Sequence, residues 1–235
     1  MISHRRIAIL VGVLYIIGTV AGILSVVTAG SILDDSAYLT EISENRDRFV
    51  LGALFVLTMG LALAMVSVVI FPVLKEQNEI LAIGYVVFRG ALETATYLAF
   101  VIIWLILLAL SQQFVKANAP DASYLQTLGA SLKDVNDWVG ELTSIVFPLS
   151  ALMLYYVLYR SRLIPRWISG WGLLALIPYF AATFLALFDA IEPAGGSEVA
   201  MRMPLALQEM VMAVWLIAKG FNPSVVSESA KTAVP

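Results

Sequence analysis

Six times along this 235-residue chain, a run of mostly apolar side chains continues for about 20 residues or more. The runs are Ile7–Ala29, Phe49–Leu74, Ile80–Leu110, Val135–Tyr159, Trp167–Phe188 and Val199–Lys219. A backbone surrounded by apolar matter must satisfy its own N–H and C=O groups, and a helix does this within one segment. About 20 residues at about 1.5 Å each also match the ~30 Å hydrocarbon thickness of a bilayer. The expected fold is therefore all-α, a polytopic membrane helical bundle of about six transmembrane helices formed by residues 1–219. Composition points the same way. The chain is 60% hydrophobic and only 13% charged, where soluble domains carry about 25% charged residues.

Basic residues set the expected orientation. Arg5 and Arg6 precede the first run, Lys75 follows the second, Arg160, Arg162 and Arg166 crowd the loop before the fifth, and Lys219 and Lys231 follow the last. The alternate loops are acidic, with Asp34, Asp35, Glu41, Glu44 and Asp47 in the first and Asp189, Glu192 and Glu198 in the last. Arg46, Arg48, Lys116, Lys133 and Arg202 dilute this bias without reversing it. Both termini are thus expected to be cytoplasmic. The first apolar run exceeds the 7–15 residues of a signal-peptide core, so it is expected to stay in place as a span. Residues 220–235 are small and polar and end in proline, which predicts a disordered cytoplasmic tail, with Gly220 and Asn222-Pro223 ending the last helix.

Two loops share a pattern. Asp35-Ser36-Ala37-Tyr38-Leu39 precedes the second run and Asp121-Ala122-Ser123-Tyr124-Leu125 the fourth. Tyr38, Ile42 and Phe49 share a helical face, which suits a helix lying on the outer surface with its apolar edge among lipid headgroups. Gly129 is expected to break the second loop, after which Ser131 to Asp134 reads as a capping box for the fourth span. Gly18 with Gly22, and Gly60 with Ala64, form small-xxx-small steps that let helices approach closely, within the chain or across a homodimer. Pro148 and Pro178 fall mid-span and should kink their helices.

Several chemistries lose their usual residues. There is no cysteine, and the one histidine, His4, sits near the amino terminus. Thiolate and triad catalysis, haem ligation and most zinc sites therefore lack their groups. No catalytic residue, metal site or cofactor is assigned. A net charge of -3 with dispersed cations gives no footprint for nucleic acid.

Charge inside the apolar runs is the exception that invites a site. Arg89, Glu93, Glu141 and Glu209 all fall within them. Such residues are costly at membrane depth and face other helices or water-filled cavities. Arg89 lies roughly 13 Å into its helix from one side and Glu209 roughly 15 Å into its helix from the other. In a core about 30 Å thick they meet at one level. Arg89 is expected to pair with Glu209, with Glu93 and Glu141 one layer away. One guanidinium cannot balance three carboxylates. Tyr85, Arg89, Glu93, Thr96, Tyr97, Phe100 and Trp104 share one face of the third helix, and Gln208 flanks Glu209 on the sixth. The candidate cluster for ligand binding is Arg89, Glu93, Glu141, Gln208, Glu209, Tyr85 and Tyr97.

Three stretches carry a resemblance. They are Gly84-Tyr85-Val86-Val87-Phe88-Arg89 followed by Glu93, the loop Arg162-Leu163-Ile164-Pro165-Arg166-Trp167, and Leu207-Gln208-Glu209-Met210 with Trp215-Leu216-Ile217-Ala218-Lys219-Gly220-Phe221. Together they resemble a family of bacterial multi-pass membrane proteins catalogued only as a domain of unknown function, over nearly the whole chain. The resemblance implies a bacterial cytoplasmic (inner) membrane protein and brings no catalytic role.

Three functions compete. The first is a protein that binds or carries a small molecule or ion through the Arg/Glu cluster, with the bilayer as its surroundings. The second is a structural or regulatory membrane subunit in which the cluster only fixes helix packing. The third, an intramembrane enzyme, ranks last because no nucleophile–base pair or metal-ligand spacing is present.

Overall fold

The computed structural model describes residues 3–188, 190–192 and 195–225. Among them the regular structure is helical. Six helices are long and apolar enough to cross a membrane. In chain order the helices are α1 (His4–Leu33), the short α2 (Tyr38–Glu44), α3 (Arg46–Lys75), α4 (Glu79–Phe114), α5 (Ala119–Ser161), α6 (Arg166–Leu187) and α7 (Gly196–Ala218). Each of the six long helices contains its predicted apolar run or lies within a few residues of it, and several continue past the run into polar turns. Most of the predicted tail, residues 226–235, and Asp189 of the last loop lie outside the described residues.

The chain forms two compact units. The first takes its described residues from Met1–Ile16, Ala62–Glu93 and Thr143–Pro235. The second is Ile17–Leu61 with Thr94–Leu142.

The second unit is built around α2. Tyr38, Leu39 and Ile42 are buried against Ile32 and Leu33 of α1, Phe49 and Ala53 of α3, and Trp104 and Leu107 of α4. Phe49 and Trp104 stack with ring centroids 5.4 Å apart. The amphipathic face predicted for this segment exists, but protein covers it rather than headgroups. Apolar side chains from three long helices remove more of its surface from water than a flat interface would.

The predicted break at Gly129 is absent. Helix α5 runs unbroken for 43 residues. Ser131 caps nothing and donates its Oγ hydrogen bond back to the Thr127 carbonyl at 3.2 Å. Glycine inside a helix costs about 1 kcal/mol relative to alanine, and packing outweighs that here. The Tyr38 hydroxyl sits 2.5 Å from where a Cβ on residue 129 would stand. Lys133, one turn on, donates to the Leu33 carbonyl at 2.6 Å and lies 4.8 Å from the Tyr38 ring centroid. It thereby caps the last turn of α1.

In the first unit α1 and α7 touch closely. A Cβ on Gly12 would stand 2.5 Å from the Ala213 carbonyl oxygen, so only glycine admits this approach. Arg5 donates to the carbonyls of Leu216, Ile217 and Ala218 at 3.1, 2.7 and 3.3 Å. These are the acceptors that a helix end leaves free. Gly220, at φ 78°, turns the chain out of α7. Both α5 and α6 continue through their mid-span prolines, Pro148 and Pro178.

Candidate functional site

Arg89 sits in a widened turn. Residues Val86–Leu92 of α4 form a π-helical segment, and the Glu93 amide donates to the Phe88 carbonyl, five residues back. Such interruptions within α-helices recur at functional sites. Here the segment carries a guanidinium that is 2% exposed, inside the first unit.

The Arg89 guanidinium is held on several sides. Its Nη1 donates to both carboxylate oxygens of Glu93, at 2.9 and 3.0 Å. Its Nη2 lies 3.6 Å from a carboxylate oxygen of Glu209 on α7. Its Cζ is 4.9 Å from the Phe147 ring centroid and 5.7 Å from that of Tyr15. These distances allow cation–π attraction, which strengthens when water is excluded. The Tyr15 and Tyr85 hydroxyls share a hydrogen bond of 3.2 Å. The expected pairing of Arg89 with Glu209 is thus present, and the shorter contacts go to Glu93.

Gln208 has a different task from its neighbour. Its Nε2 donates to the Ile168 carbonyl of α6 at 3.0 Å, which ties α6 to α7 beneath the site. Glu141 and Tyr97 belong to the second unit. Trp104, on the predicted aromatic face, also lies there and donates to Asn136 at 3.0 Å.

Sequence reasoning missed a second, partly buried pair. Arg202 and Glu198, one turn apart on α7, form an ion pair in which the Glu198 side chain is 3% exposed. By sequence, Glu198 counts among the acids of the last loop and Arg202 only as a charge that dilutes the orientation bias. Their i,i+4 spacing at the head of an apolar run was the available signal. The Arg202 guanidinium lies 5.1 Å from the Tyr179 ring centroid and 3.5 Å from the Thr183 hydroxyl.

A cleft of about 220 Å³ joins the two pairs. Phe147 of α5, Tyr179 of α6 and one face of α7 line it, with Arg202 and Glu209 both exposed to it. The Glu209 side chain is 14% exposed, against 2% for Arg89 and 1% for Glu93. Three carboxyl groups and two guanidiniums make up this region, so the acids outnumber the bases by one. Glu209 is the carboxylate held least closely and the one that reaches the cleft. Buried atoms without a hydrogen-bond partner among the described residues include Arg89 Nε, Tyr155 Oη and Gln208 Oε1.

The fold and site define a helical bundle with six membrane-capable helices and a buried arginine–glutamate network. A family model described as "Domain of unknown function (DUF4386)" matches residues 10–220, and the chain belongs to that family. Comparison with curated proteins and with solved structures returned no match.

Proposed function

We propose that this is an integral protein of the bacterial cytoplasmic membrane, with both termini inside, that binds a small cation or cationic amphiphile at Glu209. The cleft carries this reading, because it joins the surplus carboxylate to two aromatic rings. A carboxylate offers charge, and Phe147 and Tyr179, each with a guanidinium on one side, add aromatic surface along the cleft for an alkylammonium group. Drug-sized ligands occupy about 300–1,000 Å³, so a cleft of about 220 Å³ suits something smaller. Arg202 stays with Glu198 and need not repel the guest.

The test uses purified protein in detergent with tetraethylammonium, sodium and potassium as probes. One of these cations should raise the melting temperature of wild type, and Glu209→Gln should lose that response while Glu209→Asp keeps part of it. An equal response in Glu209→Gln, or no response to any of the cations in wild type, would overturn the reading.

The sealed state of Arg89 and Glu93 favours a second reading. Those two charges, with Gln208 bound to α6, also describe a polar knot that fixes helix register in a structural or regulatory subunit. Buried pairs can serve geometry without adding net stability. On that reading the cations have no effect and a stoichiometric protein partner accompanies the chain through purification.

A further inference from the structure

A larger cavity lies elsewhere in the first unit, where the α5–α6 turn meets the end of α7. Its volume is about 650 Å³. Arg162, Arg166 and Lys219 line it, and no acidic residue does among the described residues. Pro165, Trp215 and Phe221 give it an apolar wall.

The cavity is built into the fold and is more than a patch of surface charge. The Asn222 amide donates to the Leu163 carbonyl at 2.8 Å, so the segment after α7 is tied to the α5–α6 turn. Arg162 adopts φ 59°, a left-handed conformation rare for a residue with a Cβ. Such strain persists where surrounding structure holds it, and it clusters at ligand-binding positions.

The local field is positive from more than side chains. Helix α6 begins at Arg166, behind Pro165, which has no side-chain acceptor for the free amides of the first turn. Those amides carry the positive end of the helix dipole. The negative end of α7 would oppose them, but Arg5 already occupies its last carbonyls. Three cations, a helix amino terminus and a neutralised carboxyl terminus therefore surround one space.

We propose that this cavity binds an anionic phosphate group, presented by a phospholipid whose glycerol and first acyl carbons lie along Pro165, Trp215 and Phe221. Basic pockets between membrane helices recognise such headgroups, and tryptophan suits the level where headgroup and hydrocarbon meet. A free phosphate ester shares the charge but leaves the apolar wall unused.

The experiment is thermal unfolding of the full chain in detergent, with four separate additions: dioctanoyl-phosphatidylglycerol, dioctanoyl-phosphatidylcholine, glycerol 3-phosphate and inorganic phosphate. Phosphatidylglycerol should raise the melting temperature by a few degrees at saturation, and the zwitterionic lipid by less. The variant Arg162→Gln/Arg166→Gln/Lys219→Gln should lose the response to phosphatidylglycerol. Lys116→Gln, which removes an exposed cation outside the cavity, should keep it. If the triple variant melts far below wild type without lipid, Lys219→Gln alone is used, and its apparent affinity should fall at least several-fold. An equal response to glycerol 3-phosphate or inorganic phosphate would keep the anion site and overturn the lipid as its source. Equal responses to the two lipids, an unchanged response in the variants, or no response in wild type would overturn the site.

Discussion

Arg89 grips both carboxylate oxygens of Glu93, four residues along its own helix, more closely than it approaches Glu209 across the gap to α7. The distances are 2.9 and 3.0 Å against 3.6 Å. The two glutamates are therefore unequal partners, and their substitutions should separate.

Glu93→Gln leaves the buried guanidinium only the longer contact to Glu209 and should cost about 3–5 kcal/mol, the range for breaking a buried pair. Glu209→Gln should cost roughly 1 kcal/mol or less, because Arg89 keeps its nearer partner. Removing the charges together, as Arg89→Met/Glu93→Met/Glu209→Gln, leaves nothing stranded and should melt close to wild type or above it. Chemical unfolding in one detergent checks all three. A ranking in which Glu209→Gln is the costliest single change would show that the α7 contact holds the cluster.

The α1–α7 approach should be sensitive to one methyl group. Gly12→Ala puts a Cβ against a backbone carbonyl, which cannot turn aside, and should cost about 1–3 kcal/mol. In Gly22→Ala the new Cβ stands 2.8 Å from the Met59 sulfur, the flexible end of a side chain. That variant should stay within about 1 kcal/mol of wild type. Melting temperatures of the two variants decide it.

Tyr38 and Gly129 should behave as one unit. Gly129→Ala drives a Cβ into the Tyr38 hydroxyl and should destabilise by about 1–3 kcal/mol. That hydroxyl is buried without a hydrogen-bond partner among the described residues, so Tyr38→Phe should be neutral or stabilising. The double variant should lose less than Gly129→Ala alone. Burial, and then the neighbouring Asp134 carboxylate, raise the Tyr38 phenol above its usual value. A raised acid holds its proton more tightly in the folded protein. Its stabilising contribution is complete below about pH 10, the unperturbed value, and is lost as pH rises through the raised folded value. Tyr38→Phe should flatten the alkaline fall in melting temperature.

Many apolar side chains stand exposed on the protein surface, among them Leu54 at 52% and Ile177 at 67%. In a bilayer they would face lipid. With no cysteine in the chain, single replacements report cleanly. Leu54→Cys and Ile177→Cys should resist a water-soluble maleimide in membranes and react once the membrane is dissolved. Tyr124→Cys, at a position 69% exposed, should react in both. Ready labelling of position 54 in intact membranes would place that face of α3 in water.

The sequence made the long helices legible because six runs of apolar residues leave a chain little choice. Depth counting brought Arg89 level with Glu209, since a helix rises by a constant step. It could not show which carboxylate sits nearer, because the π-helical turn around Arg89 depends on side-chain packing. The second pair was readable in principle, but a run that starts at Val199 leaves Glu198 outside the helix and hides its spacing to Arg202. Gly129 misled for a related reason. Local propensity marks it as a breaker, and only the distant Tyr38 hydroxyl explains why a helix keeps it.

The hydrogen bond from Arg5 to Leu216 joins residues separated by 211 positions. During synthesis α1 is made before α7, so α1 waits through the five intervening helices without that partner. Its Gly12 face and the Arg5 guanidinium wait for a surface that has yet to leave the ribosome. The first unit therefore closes as a late event, and a chain stalled before α7 would present an open, adhesive α1 to whatever quality control patrols the membrane.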